Sequence, residues 1–128
     1  MVNISLVEKA IQDGRRLLSA LDNKQINVRA AFWIYDSESE EWRLTLAMPI
    51  VDEKGPKESY REVQTVLSDP SAEKLDLSLR DVTVVSPENE LVKLLRFAIH
   101  FEGTGGIVFE GNTINGIYIE KAYIYRMC

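Results

Sequence analysis

Two stretches of period-two alternation, separated by a polar break, constrain this chain more than any other feature. From 26 to 35, Ile26, Val28, Ala30, Phe32 and Ile34 share one side, and Asn27, Arg29, Ala31, Trp33 and Tyr35 share the other. From 42 to 50, Trp42, Leu44, Leu46, Met48 and Ile50 again share a side. Successive side chains of a strand point to opposite faces, so this pattern predicts two strands. The polar run from Asp36 to Glu41 makes them a hairpin. Matching the apolar sides pairs Ile34 with Trp42 and Phe32 with Leu44, and sets Trp33 opposite Arg43 and Ala31 opposite Thr45. A slip of one residue exchanges the faces, so this register is the expected one.

A second hairpin is expected near the C-terminus, from Ile107 to Met127. Asn115-Gly116 is the favoured pair for a two-residue type I′ turn. That turn sets Ile114 opposite Ile117 and brings Glu110 to Lys121, a pair of opposite charge. Gly111 then lies inside the first strand as a bulge position. A turn at Gly111-Asn112 is the competing arrangement. The final strand is apolar on both sides: Ile117, Ile119, Tyr123 and Tyr125 on one, Tyr118, Ala122 and Ile124 on the other. Such a strand is either central and covered twice, or it reaches across an interface.

Helical spacing accounts for much of the rest. Ile4, Val7, Ile11, Leu17, Leu18 and Leu21 form one apolar stripe, capped by Asn3 and ended by Asp22-Asn23. Gly14 interrupts this helix at a cost of about 1 kcal/mol relative to alanine, and marks either a bend or a close approach to a neighbour. Gly55-Pro56 opens a second helix with the stripe Tyr60, Val63 and Val66 or Leu67, stopped by Asp69-Pro70. Residues 79–85 read as a strand. Ser86-Pro87-Glu88 then starts a third helix carrying Leu91, Leu94, Leu95, Ala98 and Ile99, which ends near His100. The expected fold is α+β in the order α-β-β-α-β-α-β-β: one domain over residues 1–128, with a mostly antiparallel sheet of four to five strands, three helices and two layers.

Composition narrows the function classes. A chain of 128 residues buries roughly 65–70% of its unfolded surface, enough for its own core. No apolar run approaches the ~18 residues of a membrane helix, and the N-terminus lacks the features of a secretory signal, so a cytoplasmic protein with no membrane partner is expected. The single cysteine, Cys128, excludes an internal disulfide and a zinc site built on two or more thiolates. A net charge of −5 disfavours nucleic acid, whose phosphates are bound by clustered Lys and Arg. It suits solubility or a basic protein partner instead.

Three constellations carry possible chemistry. The glycines of Glu102 to Gly106 follow a helix and precede a strand, the reverse of a phosphate-binding loop. Arg96 and His100 lie one helical turn apart with Glu102 just beyond, giving a general base beside an anion clamp. The pair resembles the Arg-x(4–6)-His motif of higher-eukaryote-and-prokaryote nucleotide-binding ribonucleases. Only three residues intervene here and the all-helical setting is missing, so membership is not assigned. Asp52-Glu53-Lys54 resembles half of a metal-dependent nuclease site, which needs a further acid to share Mg²⁺. Asp36 lies at the opposite end of the hairpin, roughly 25–30 Å away at ~3.3 Å per residue, leaving Glu8 or Asp13 as the acids within reach. No metal centre or cofactor is expected from these residues.

The strongest candidate for function is a surface. With Ile26 to Ile34 facing the core, Arg29, Trp33, Tyr35 and Arg43 occupy the opposite face, with Trp33 placed for a cation–π contact to Arg43. Trp, Tyr and Arg are the residue types enriched at binding hot spots. The leading expectation is a non-enzymatic protein-interaction module that forms a homodimer, or meets another protein, through its sheet. The alternative is a small metal- or His-dependent hydrolase acting on nucleotides or phosphate esters. The stretches AAFWIYD and GNTINGIYIEKAYIYR look like those of small prokaryotic proteins, a resemblance that brings no function with it.

Overall fold

The computed structural model describes residues 6–70, 74–99, 106–114 and 116–128. Its elements run α1 (Glu8–Asn23), β1 (Ala30–Asp36), β2 (Glu41–Ala47), α2 (Ile50–Lys54), α3 (Pro56–Leu67), a 3₁₀ turn (Leu79–Asp81), β3 (Val82–Val85), α4 (Glu90–Ala98), β4 (Ile107–Ile114) and β5 (Ile117–Met127). The strands form one sheet in the order β3-β2-β1-β5-β4. β2 and β3 run parallel, and the other neighbours antiparallel, so the sheet is mixed. The α+β class stands. Among the described residues no helix is long and apolar enough to cross a membrane.

The layer count differs from expectation. α1 and α3 cover one face of the sheet, where Leu17, Leu18, Leu21, Val63 and Val66 meet Ala31, Trp33, Leu44, Leu46, Val82, Val84 and Tyr125. α4 covers the other, where Val92 and Leu95 meet Ala30, Phe32, Ala47, Ala122, Ile124 and Met127. The sheet is thus sandwiched between helices, and three layers replace the expected two. This double cover explains why β1 is apolar at nearly every position: Ala30 and Ala31, with Ala47 of the neighbouring β2, let helix and sheet approach closely from both sides.

The first hairpin forms where expected, in a different register. Trp33 pairs with Leu44, Ile34 with Arg43 and Tyr35 with Trp42. This is the one-residue slip that exchanges faces. The slip exposes no apolar face, because helices cover both sides of the sheet, and the turn closes in a form compatible with it. Asp36 pairs with Glu41, Glu40 adopts φ +56, and the Asp36 carboxylate accepts the Glu38 N–H at 3.0 Å.

The remaining departures are local. β2 stops at Ala47 and not at Ile50, because Pro49 has no N–H to offer a strand ladder and instead precedes the short helix α2. This adds a fourth α-helix to the expected three. α4 begins one turn later than Ser86 suggests. Asn89 caps it, its Oδ1 accepting from the N–H groups of Leu91 (2.9 Å) and Val92 (3.3 Å). Ser86 instead makes a turn, its Oγ accepting the Glu88 N–H at 3.0 Å. α1 begins at Glu8, and the expected cap Asn3 lies outside the described residues.

The second hairpin matches its expected pairing. Ile114 stands opposite Ile117 and Glu110 opposite Lys121, with the two charges 3.7 Å apart. Gly111 takes φ +55, a backbone conformation that favours glycine, yet the pairing runs through it without a shift in register. β5 is a central strand between β1 and β4, so its two-sided apolar character reflects helices on both faces along its second half. Its end is tied to α1 by Arg126, whose guanidinium forks onto both carboxylate oxygens of Asp22 at 3.0 and 2.7 Å.

Candidate interaction surface

The register moves Arg43 off the face that Trp33 and Tyr35 share, and burial takes Trp33 out of the expected contact face. Trp33 is 3% exposed in the layer beneath α1. Its indole N–H donates to the Tyr125 hydroxyl at 2.8 Å, which in turn donates to the main-chain carbonyl of Ile11 at 2.6 Å. Trp33 is therefore a core residue that links β1, β5 and α1, and not part of an open sheet face. Arg43 lies across the sheet, on the face that α4 covers, with its Nε donating to Thr83 Oγ1 at 2.9 Å. The expected cation–π pair is therefore replaced by a polar bridge between β2 and β3. Tyr35 is half-buried and packs edge-to-face on Trp42, with ring centroids 5.6 Å apart. Arg29 is exposed just before β1. Its N–H donates to Ala47 and its carbonyl accepts from Cys128, so its main chain holds the open end of the sheet together.

The candidate chemical groups are also placed in structural roles where they are described. Arg96 donates from Nε to the Cys128 carbonyl (2.8 Å) and from Nη2 to the Pro87 carbonyl (3.0 Å), fastening α4 to the chain end and to the loop before it. His100 and Glu102 lie outside the described residues. Asp52 sits on α2 and accepts from Ser86 Oγ at 2.8 Å, with Glu53 beside it on the exposed helix surface. Asp13, one of the acids considered within reach of Asp52, is engaged elsewhere: it accepts from the Asp76 N–H and from Lys9. Among the described residues no group of three or more His, Cys, Asp or Glu converges as a metal site.

What sequence reasoning missed is an apolar rim around the second hairpin. Five large apolar side chains are exposed in the described structure, and four of them lie on α4, β4 or β5: Phe97 (79%), Val108 (57%), Ile117 (48%) and Tyr118 (63%). Phe97 and Ile117 line a groove of about 310 Å³ floored by Leu94 and edged by Glu90 and Lys93. A signal for Phe97 was available. At about 100° per residue it falls roughly 160° round α4 from the buried Leu95, so it points away from the sheet.

The two edges of the sheet differ. β3 is four residues long, and its Val84 N–H is bound by the Tyr60 hydroxyl of α3 at 3.0 Å. β4 is eight residues long, IVFEGNTI, and among the described residues only β5 pairs with it. It contains no proline or lysine, the residues that commonly blunt an exposed edge.

No family model, curated protein or solved structure matches the chain.

The buried Trp33–Tyr125–Ile11 relay has a pH signature. Burial raises the pKa of the Tyr125 hydroxyl well above its ordinary 10.0, with the Trp33 N–H acting in the opposite direction. The folded state therefore keeps this proton to higher pH than the unfolded chain. The resulting stability is fully present below about pH 10 and is lost as the pH rises beyond it. Urea midpoints measured from about pH 9 to about pH 11 should fall more steeply for the native chain than for Tyr125→Phe. Parallel slopes would show that this hydroxyl is not held in its neutral form.

Proposed function

We propose that this chain is a non-enzymatic protein-interaction module that self-associates through its sheet, with the edge strand β4 as the seam. The observation that carries the reading is the coincidence of an eight-residue edge with four exposed apolar side chains on or beside it. An unpaired edge presents a row of N–H and C=O groups whose natural complement is another strand. A second copy of the chain offers the same edge, and two antiparallel copies of β4 join two sheets about a two-fold axis, as the commonest closed dimers do.

Charge does not oppose the arrangement. Glu110 is the one charged residue in β4, and Lys121 of the same chain lies 3.7 Å from its carboxylate. Strand pairing alone is a weak basis for association, since each hydrogen bond exchanged with water nets only about 0.5–1.5 kcal/mol. The remainder comes from apolar area at Val108, Tyr118, Ile117 and Phe97, at about 25 cal/mol per Å² removed from water. A stable interface buries about 1,200–2,000 Å² in total, which requires both the strand and its flanking rim.

Light scattering across roughly 1–100 μM protein should show a dimer that dissociates on dilution. Val108→Lys places a charge on the seam at an exposed position, so it should leave the fold intact and shift the chain to monomer, raising the dissociation constant at least about tenfold. A native chain that stays monomeric at about 100 μM removes the self-association reading.

A further inference from the structure

We infer that the cleft between the start of α1 and residues 76–81 is a binding site for a small organic cation, a primary ammonium on a short apolar stem, with Asp13 as its carboxylate. This site lies apart from the β4 seam and does not depend on it.

The inference begins with a buried carboxylate, one oxygen of which accepts no hydrogen bond. Asp13 is 1% exposed. Its Oδ2 accepts the Asp76 N–H at 3.1 Å and lies 3.3 Å from Lys9 Nζ. Its Oδ1 accepts no hydrogen bond, and Arg16 Nη1 stands 3.7 Å away as an ion-pair partner only. Among the described residues it is the only buried side-chain nitrogen or oxygen in that condition. Buried polar atoms in native proteins are satisfied by protein, by water or by a bound group, so an exception calls for a donor that arrives from outside the chain.

A cavity of about 220 Å³ borders this carboxylate. That is the space of about seven waters at roughly 30 Å³ each, enough for an amine of a few carbons. Ala10, Leu77 and the Trp33 ring supply apolar wall, and Asp76 and Asp81 supply negative charge. Asp81 is held in place by accepting the Ser78 N–H at 3.0 Å. Three acids and one base, Lys9, line the cavity, Arg16 reaches Asp13 from outside it, and the Trp33 side chain adds an aromatic wall suited to a cation.

Among the described residues no three acids converge as a metal cage, and the apolar wall of Ala10, Leu77 and Trp33 suits a cation with an organic stem. Lys9 already demonstrates the chemistry, because its ammonium rests on Asp13 while 63% of its side chain stays in solvent. An entering amine would replace that exposed ammonium at Oδ2 or complete Oδ1.

Calorimetric titration with n-butylammonium chloride tests the assignment, with sodium chloride and sodium n-butyrate as controls. Saturable binding with a millimolar dissociation constant is expected for the amine alone. Asp13→Asn should weaken it at least tenfold. Lys9→Ala removes the internal competitor from an exposed position and should tighten it several-fold, so the site remains testable if Asp13→Asn does not fold. Butylammonium heat no greater than that of sodium chloride, equal binding of butyrate, or a Lys9→Ala variant with unchanged affinity would each overturn the inference.

Discussion

Trp33→Ala is expected to lower the unfolding free energy by about 3–5 kcal/mol, the range for removing a large aromatic from a core. The indole lies beneath α1 with Ala31, Leu44 and Tyr125 among its buried neighbours, and only 3% of it reaches solvent. Truncation also takes away the N–H that the Tyr125 hydroxyl accepts at 2.8 Å, leaving that oxygen short of a partner in a dry layer. A small domain has roughly 5–15 kcal/mol in total, so this single change leaves it near its threshold. Urea unfolding followed by circular dichroism measures the loss. Trp33→Phe keeps most of the apolar area and should cost less. A loss under about 1 kcal/mol for Trp33→Ala is the value for a surface position, and would return the indole to the exterior.

Gly14→Ala should destabilise the chain by about 2 kcal/mol, although alanine is the better helix former. In an exposed helix this exchange gains up to about 1 kcal/mol. Here a β-carbon at position 14 would collide with the Tyr125 hydroxyl and come within 2.9 Å of both Trp33 Nε1 and Tyr125 Cζ. Those atoms belong to the relay that joins β1, β5 and α1, so they have little freedom to retreat. Overpacking of this kind costs about 1–3 kcal/mol, to which disturbance of the relay adds, and together these outweigh the propensity gain. The expected readout is a melting temperature several degrees lower. Adding Tyr125→Phe, which removes the colliding oxygen, should recover part of it, with a non-additive double-mutant cycle as the mark of direct contact. A Gly14→Ala variant that melts at or above the native temperature would show that α1 does not approach the sheet this closely.

These two positions show how unevenly the sequence disclosed the fold. The interruption of α1 by Gly14 was visible as a bend or a close approach, and only the packed structure distinguishes the two. Trp33 sits in a strand that alternation placed correctly, yet on a face that the alternation assigned to a partner and that the fold covers with α1. The same limit governed the helix starts. Ser86 and Asn89 are both good caps, and the choice of Asn89 depends on Ser86 being held in its own turn and donating to Asp52 of α2. The candidate surface was partly legible. The two-sided final strand pointed at the sheet as the place to look, but strand order makes β5 central and hands the edge to β4.

The sequence by itself determined where the five strands and three of the four α-helices lie to within about a turn, that two hairpins form, and the register of the second one; it did not show α2, or that residues 79–81 make a 3₁₀ turn before β3. Each of the features it determined follows from local physics: a period of two or of 3.6, a proline without an N–H, a two-residue link from Ile114 to Ile117. Tertiary structure alone decided the register of the first hairpin, the burial of Trp33, the removal of Arg43 to the opposite face and the exposure of the β4 edge. Hydrophobic alternation specifies a face only when one side of the sheet is wet. Once α1 and α3 cover one side and α4 the other, both phases bury apolar groups, and contacts distant in sequence choose between them.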